Sequence, residues 1–238
     1  MSNRRALTFG AWSGVIALVI WLILLWPLTH YIPPPSPMLS VQEVANLYQH
    51  NSVGIRIAAM LMLFAISFTI VFYGAISAQL RRIEGAAPIW TYVQMLAGQF
   101  SLVGFVTIAV LWSAAAYRAE RSPEIISALH DVSWFLYAIV APPAGIQFFA
   151  LAFAILEDAQ PRPLLPRWYA YLSLWTGVAF LPGVVAAMFK SGPFAWNGLF
   201  AFWIPIGTFS LWIFVTTWVL LEATRRTDYV SAHSQLQP

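Results

Sequence analysis

Six long apolar runs separated by short polar segments set the organisation of the chain: residues 9–29, 54–80, 89–117, 133–156, 168–189 and 196–222. Each is at least as long as the roughly 20 apolar residues a helix needs to cross the hydrocarbon core of a bilayer. The pattern predicts an all-α, polytopic membrane protein, a six-transmembrane-helix bundle forming one domain over residues 1–226. Arg4 and Arg5 precede the first run as they would in a secretory signal. Its apolar core is too long for that, and no small-residue cleavage pattern comes before the prolines at 33–35, so it reads as a retained first helix. The polar, aperiodic stretch 227–238 is expected to be a disordered cytoplasmic tail.

The polar segments orient the bundle. Arg4, Arg5, Arg81, Arg82, Arg162, Arg167, Arg225 and Arg226 fall on one side of six alternating spans, and Arg56, Arg118, Arg121 and Lys190 on the other. Basic residues stay on the cytoplasmic side during insertion, so this asymmetry predicts both termini in the cytoplasm. Trp12, Trp90, Trp168 and Trp218 lie near the inner ends of spans, and Trp26, Trp112, Trp134 and Trp196 near the outer ends. Amphipathic rings partition to that depth and mark the boundaries.

The outer connections carry structure of their own. After Pro33, Pro34, Pro35 and Pro37 comes Ser40-Val41-Gln42-Glu43, a capping-box signature opening a short amphipathic helix expected to lie in the outer interface. Ser122-Pro123-Glu124 opens a second short helix before Asp131. Inward ends echo one another: Ala11-Trp12-Ser13-Gly14 with Leu174-Trp175-Thr176-Gly177, and Leu156-Glu157 with Leu221-Glu222. These echoes suggest an array of three tandem helical hairpins.

Composition narrows the chemistry. The 238 residues are 60% hydrophobic and 9% charged, against about a quarter charged in soluble domains. No sizeable water-soluble catalytic domain fits that composition, and a net charge of +3 is too small and scattered for nucleic-acid binding. Without cysteine there is no disulfide, thiolate nucleophile or Cys-ligated metal.

The first span, Pro-rich loop, Ser-x-x-Glu helix and Arg56, with the Phe72-Tyr73 to Arg81-Arg82 exit and the Leu165-Pro166-Arg167 entry, resemble a large bacterial family of six-helix membrane proteins, a domain of unknown function. The likeness runs across about residues 9–222. It implies six helices in a bacterial cytoplasmic (inner) membrane and assigns neither an activity nor site residues.

Some polar and helix-breaking positions inside the spans stand out. Pro142-Pro143 with Gly145, Pro182 with Gly183, and Pro205 with Gly207 interrupt spans four, five and six. Each proline removes a helical hydrogen bond, and the three fall roughly 10–14 Å from the outer ends at the helical rise. Broken backbone at such depth needs protein or a water-filled cavity around it, so a cavity opening outward is expected there, with Pro142 and Pro205 at its wall. Gln99 and Gln147 sit near mid-membrane on consecutive antiparallel spans and are expected to pair, as packing glue or as ligand contacts.

The densest polar group is at the outer surface: His50 and Arg56 before span two, Glu124, His130 and Asp131 before span four, and Lys190 after span five. His130 beside Asp131 could support acid–base chemistry, with Glu124 as a further carboxylate, and His50 and Arg56 are candidate ligand contacts. Adjacent helical residues point about 100° apart, so the two need not address one point. No histidine lies mid-span to hold a haem, no lysine lies mid-helix for a Schiff base, and no nucleotide, hydrolase or zinc-protease motif occurs. No metal or other cofactor is expected. No carboxylate lies within a span to couple transport to an ion. The expected function is a non-catalytic protein binding membrane lipid, a lipophilic ligand or a partner membrane protein; the runner-up is a membrane-embedded enzyme acting on a lipid-like substrate at the outer leaflet.

Overall fold

The computed structural model describes residues 3–118 and 120–226; the expected tail, 227–238, lies outside them. Helix α1 covers Asn3–Ile23 and passes into a π-helical turn, Leu24–Leu28. Then come α2, Val41–His50; α3, Ser52–Glu84; α4, Ile89–Tyr117; α5, Pro123–Ala138; and α6, Ala141–Leu156. Helix α7, Arg167–Phe180, tightens into a 3₁₀ stretch, Leu181–Met188, and a second π-helical turn, Leu199–Trp203, leads into α8, Ile204–Arg225. No strand occurs among the described residues. Six stretches are long and apolar enough to span a bilayer: Arg4–Leu28, Ser52–Glu84, Ile89–Tyr117, Pro123–Leu156, Arg167–Met188 and Leu199–Arg225.

Two connections differ from the expectation. The helix opened by Ser122-Pro123 is not separate, because nothing interrupts it before residue 139; α5 is the outer half of span four. Helix α2 does form the capping box, with the Glu43 amide donating to Ser40 Oγ at 3.3 Å and the Ser40 amide to Glu43 Oε2 at 2.7 Å. The Ser40 hydroxyl, donating to Glu43 Oε2 at 2.7 Å, and then the Ser40 amide hold the Glu43 carboxyl below its ordinary range. Yet α2 buries Val44, Ala45 and Tyr48 and packs on α5, so it caps the bundle.

The spans close a ring in chain order. Helix α3 packs between α1 and α4, α4 against α5 and α6, α6 against α7, α7 against α8, and α8 back on α1. Packing between the predicted hairpins is as continuous as packing within them. Closure is fixed in the half that holds the start of α1 and the end of α8, called the inner half by that position alone, where the Thr217 hydroxyl donates to the Ala11 carbonyl at 3.0 Å. The same half has a fully buried centre, Trp212, whose Nε1 donates to Ser173 Oγ at 3.1 Å, while Tyr169 and Thr216 hydroxyls pair at 2.7 Å. Ring packing here is dense: Trp212 stacks on Phe209 (5.9 Å, 11°) and meets Phe148 edge-on at 4.9 Å.

Helix α4 begins at Pro88 with no side-chain cap of its own. The Glu84 carboxylate at the end of α3 serves instead, accepting the amides of Trp90 at 2.8 Å and Thr91 at 2.7 Å together with the Thr91 hydroxyl. A carboxylate at a helix N-terminus satisfies orphan amides and complements the dipole. Glu84→Ala should therefore lower stability by about 1–2 kcal/mol, with Glu84→Gln intermediate. Thermal unfolding in a mild detergent checks this, and an unchanged midpoint for Glu84→Ala would rule the cap out.

Candidate functional site: a slot at the level of the helix breaks

Four spans lose regular α-geometry in their outer halves. In span one the π-turn contains Pro27, which sequence reasoning passed over although a proline inside an apolar run was the available signal. Between α5 and α6, residues 139–140 leave the helix, and Pro142 has no amide to donate to the Ala138 carbonyl. Gly183 approaches that carbonyl so closely that a methyl group there would sit 2.5 Å from its oxygen. Span five tightens at Pro182, and span six enters α8 through its π-turn with Pro205 as the second residue of the helix.

A cavity of about 140 Å³ lies among these breaks, and Leu25, Ala138, Ala141, Phe180, Phe202 and Pro205 from all four reach its wall. Along α4 the wall runs from Ser101 to Trp112, about 16 Å at the helical rise, so the space is a narrow slot. Phe148 and Phe209 line its inner part and rest on Trp212. At the outer end Trp134 lines it and stacks on Trp196 (6.4 Å, 15°). Trp196 in turn donates Nε1 to the Pro35 carbonyl at 2.9 Å, tying the first outer loop to the last. The outward opening expected from the prolines is thus roofed by aromatic rings. Leu22 both lines the slot and is exposed on the lateral surface, so the slot reaches the lipid-facing side.

The wall is apolar with few polar groups, and most of those are already engaged. Thr69, Ser101 and Ser210 donate to the carbonyls four residues back in their own helices, at 2.8, 3.0 and 2.7 Å. Trp112 Nε1 donates to Ser133 Oγ at 3.1 Å. Two donors on the wall have no partner among the described residues: Gln147 Nε2, on a residue 1% exposed, and Trp134 Nε1, on a residue 3% exposed.

Of the residues singled out from sequence, Gln147 and Pro205 line the slot and Pro142 sits half-buried between wall residues Ala141 and Ala144. The expected Gln99–Gln147 pair does not form. Gly98, one residue and about 100° away, faces Gln147, and a methyl at Gly98 would meet the Tyr73 ring at 2.8 Å and Gln147 Oε1 at 3.0 Å. Gln147 is a neighbour of the Tyr73 hydroxyl instead, while Gln99 is half-buried, off the wall. His50 is exposed, its Nδ1 2.8 Å from the Asn46 carbonyl; Arg56 donates Nε to Ser52 O at 3.2 Å; Glu124 is exposed.

His130 and Asp131 diverge. Asp131 is half-buried on the outer side, where Lys190 is the cation acting on it. His130 is fully buried, shares a hydrogen bond with the Tyr48 hydroxyl at 3.2 Å through Nδ1, and is boxed by Tyr31, Trp134 and Trp196. Neither lines the slot. Burial pushes the Tyr31 and Tyr48 hydroxyls above the ordinary phenol range, so both stay neutral. No cluster of three or more His, Asp or Glu side chains able to hold a metal occurs among the described residues. No family model, characterised protein or solved structure matches the chain.

The Tyr48–His130 pair joins the α2 cap to span four inside an aromatic shell. Tyr48→Phe should cost about 1–3 kcal/mol by stranding the buried imidazole nitrogen. The double variant Tyr48→Phe/His130→Leu should cost less than the two single changes added together, because it strands nothing. Strictly additive losses in thermal unfolding would show that the pair contributes no coupling.

Proposed function

We propose that the protein is a non-catalytic lipophile-binding or accessory protein of the bacterial cytoplasmic membrane, with both termini cytoplasmic, and that the outer-half slot holds one chain-like molecule. The observation that carries this reading is the slot itself: long, narrow, walled by apolar groups, and supplied with the two unpartnered donors of Gln147 and Trp134. A buried donor without an acceptor costs about 1–3 kcal/mol, and a ligand oxygen would recover that. The geometry therefore favours an amphiphile with an acyl or isoprenoid chain and a carbonyl or ether oxygen. Lateral access beside Leu22 suits a molecule arriving from the bilayer. No carboxylate, imidazole or ammonium group lines the slot, which favours binding over acid–base catalysis. The basic asymmetry of the loops and the even number of spans support the orientation.

Mass spectrometry of molecules co-purifying with the protein should find one enriched lipophile. Ala144→Phe, which fills the slot from α6, should abolish that enrichment while leaving thermal stability unchanged or raised. Gln147→Leu should reduce it about fivefold or more, the loss of one hydrogen bond. Equal lipid profiles for the native protein and Ala144→Phe would overturn the reading. Reporter fusions at Pro35, Gln160 and the C-terminus test the orientation, and an external signal from the C-terminus contradicts it.

A further inference from the structure

A second recess lies at the opposite, Arg-rich end of the bundle, between the inner ends of spans five and six. It is a groove of about 680 Å³ whose lining, among the described residues, includes Arg162, Arg167 and Arg226 and one acidic side chain, Glu222. Arg226 is held in place: its Nη1 donates to Pro163 O at 2.9 Å and its Nη2 to Arg162 O at 3.4 Å. Arg162 and Arg167 are exposed, and Glu222 is drawn toward Arg225, 3.8 Å away. Arg167 is the first residue of α7, so unpaired amides and the positive end of the helix dipole add to the three guanidinium groups there.

The groove has an apolar shoulder. Trp218, on its wall, stacks with Trp168 at 5.9 Å and 26°, and both indoles are exposed. A soluble anion has no use for such a shelf, whereas a membrane lipid presents a phosphate next to the glycerol and acyl chains that indoles contact at the interface. Basic recesses between membrane helices are suited to anionic headgroups.

We infer that this groove is a binding site for the phosphate of an anionic phospholipid, with Arg162, Arg167 and Arg226 on the phosphodiester and Trp168 and Trp218 against the acyl-chain boundary. The site is independent of the outer slot. It selects anionic over zwitterionic lipid because the headgroup meets three guanidinium groups and one carboxylate.

Native mass spectrometry of the full chain, titrated with phosphatidylglycerol or with phosphatidylcholine, tests it. Phosphatidylglycerol should be retained several-fold more strongly. Arg162→Gln and Arg167→Gln should each weaken it about fivefold, the value of one basic residue near an anionic headgroup. Arg81→Gln, an exposed arginine at the same end but outside the groove, should leave retention unchanged. Thermal unfolding confirms that each variant is folded. Equal retention of the two lipids, or equal losses for Arg81→Gln and Arg167→Gln, would overturn the site. Displacement of phosphatidylglycerol by millimolar inorganic phosphate would overturn the lipid assignment in favour of a free anion.

Discussion

A helix interrupted within hydrocarbon must satisfy its freed backbone groups inside the protein, since lipid offers no hydrogen bonds. This constraint shapes the outer half of the bundle. At the first break the Thr29 hydroxyl donates to the Leu24 and Leu25 carbonyls at 2.9 and 3.1 Å, and the Tyr31 amide to Leu25 O at 2.8 Å. Asn51 Nδ2 reaches across to the Leu28 carbonyl at 2.6 Å. At the sixth span the amides that open the π-turn are taken up by the preceding loop, Phe200 donating to Pro193 O at 2.9 Å and Phe202 to Gly198 O at 3.0 Å. At the fourth, Gly183 packs directly against Ala138 O, so that the freed carbonyl faces protein and not lipid. These remedies come from the interrupted helix or its immediate neighbour. The centre of the ring is left to apolar side chains, and they do not fill it.

The two halves of the membrane layer consequently differ in kind. Inward, Trp212, Phe209, Phe148 and Phe72 pack ring on ring, and hydroxyl and indole pairs cross-link spans five and six. Outward, the helices enclose the slot and are covered at the surface by α2 and by the cluster of Tyr31, Tyr48, His130, Trp134 and Trp196. His130 belongs to that roof. Its burial among rings makes it a joint between α2 and span four.

Much of the architecture was legible because hydrophobic length and proline position act locally. The number of spans follows from runs of apolar residues, and the breaks at Pro142, Pro182 and Pro205 follow from a missing amide. The capping box at Ser40 is equally local. What could not be read is rotational. Gln99 and Gln147 sit at similar depth, yet the face that α4 turns toward α6 is set by Gly98, the one residue small enough for Tyr73 and Gln147 to approach. His130 and Asp131 are adjacent in sequence, but only the closed ring decides which is buried. The roof was illegible for the same reason, since Trp196 and Pro35 meet only when the first and last outer loops converge.

The slot also links occupancy to stability. Gln147 and Trp134 each carry a donor that nothing among the described residues accepts, and the wall around them forgoes packing contacts that a filled core would have. Any molecule that enters and accepts a hydrogen bond recovers both losses at once, so the folded bundle gains stability as the slot fills. The inner half does not share in that gain, because it is already closed around Trp212 and tied by Thr217 to Ala11. In the proposed binding role, selectivity resides in the width of the slot and the positions of two N–H groups.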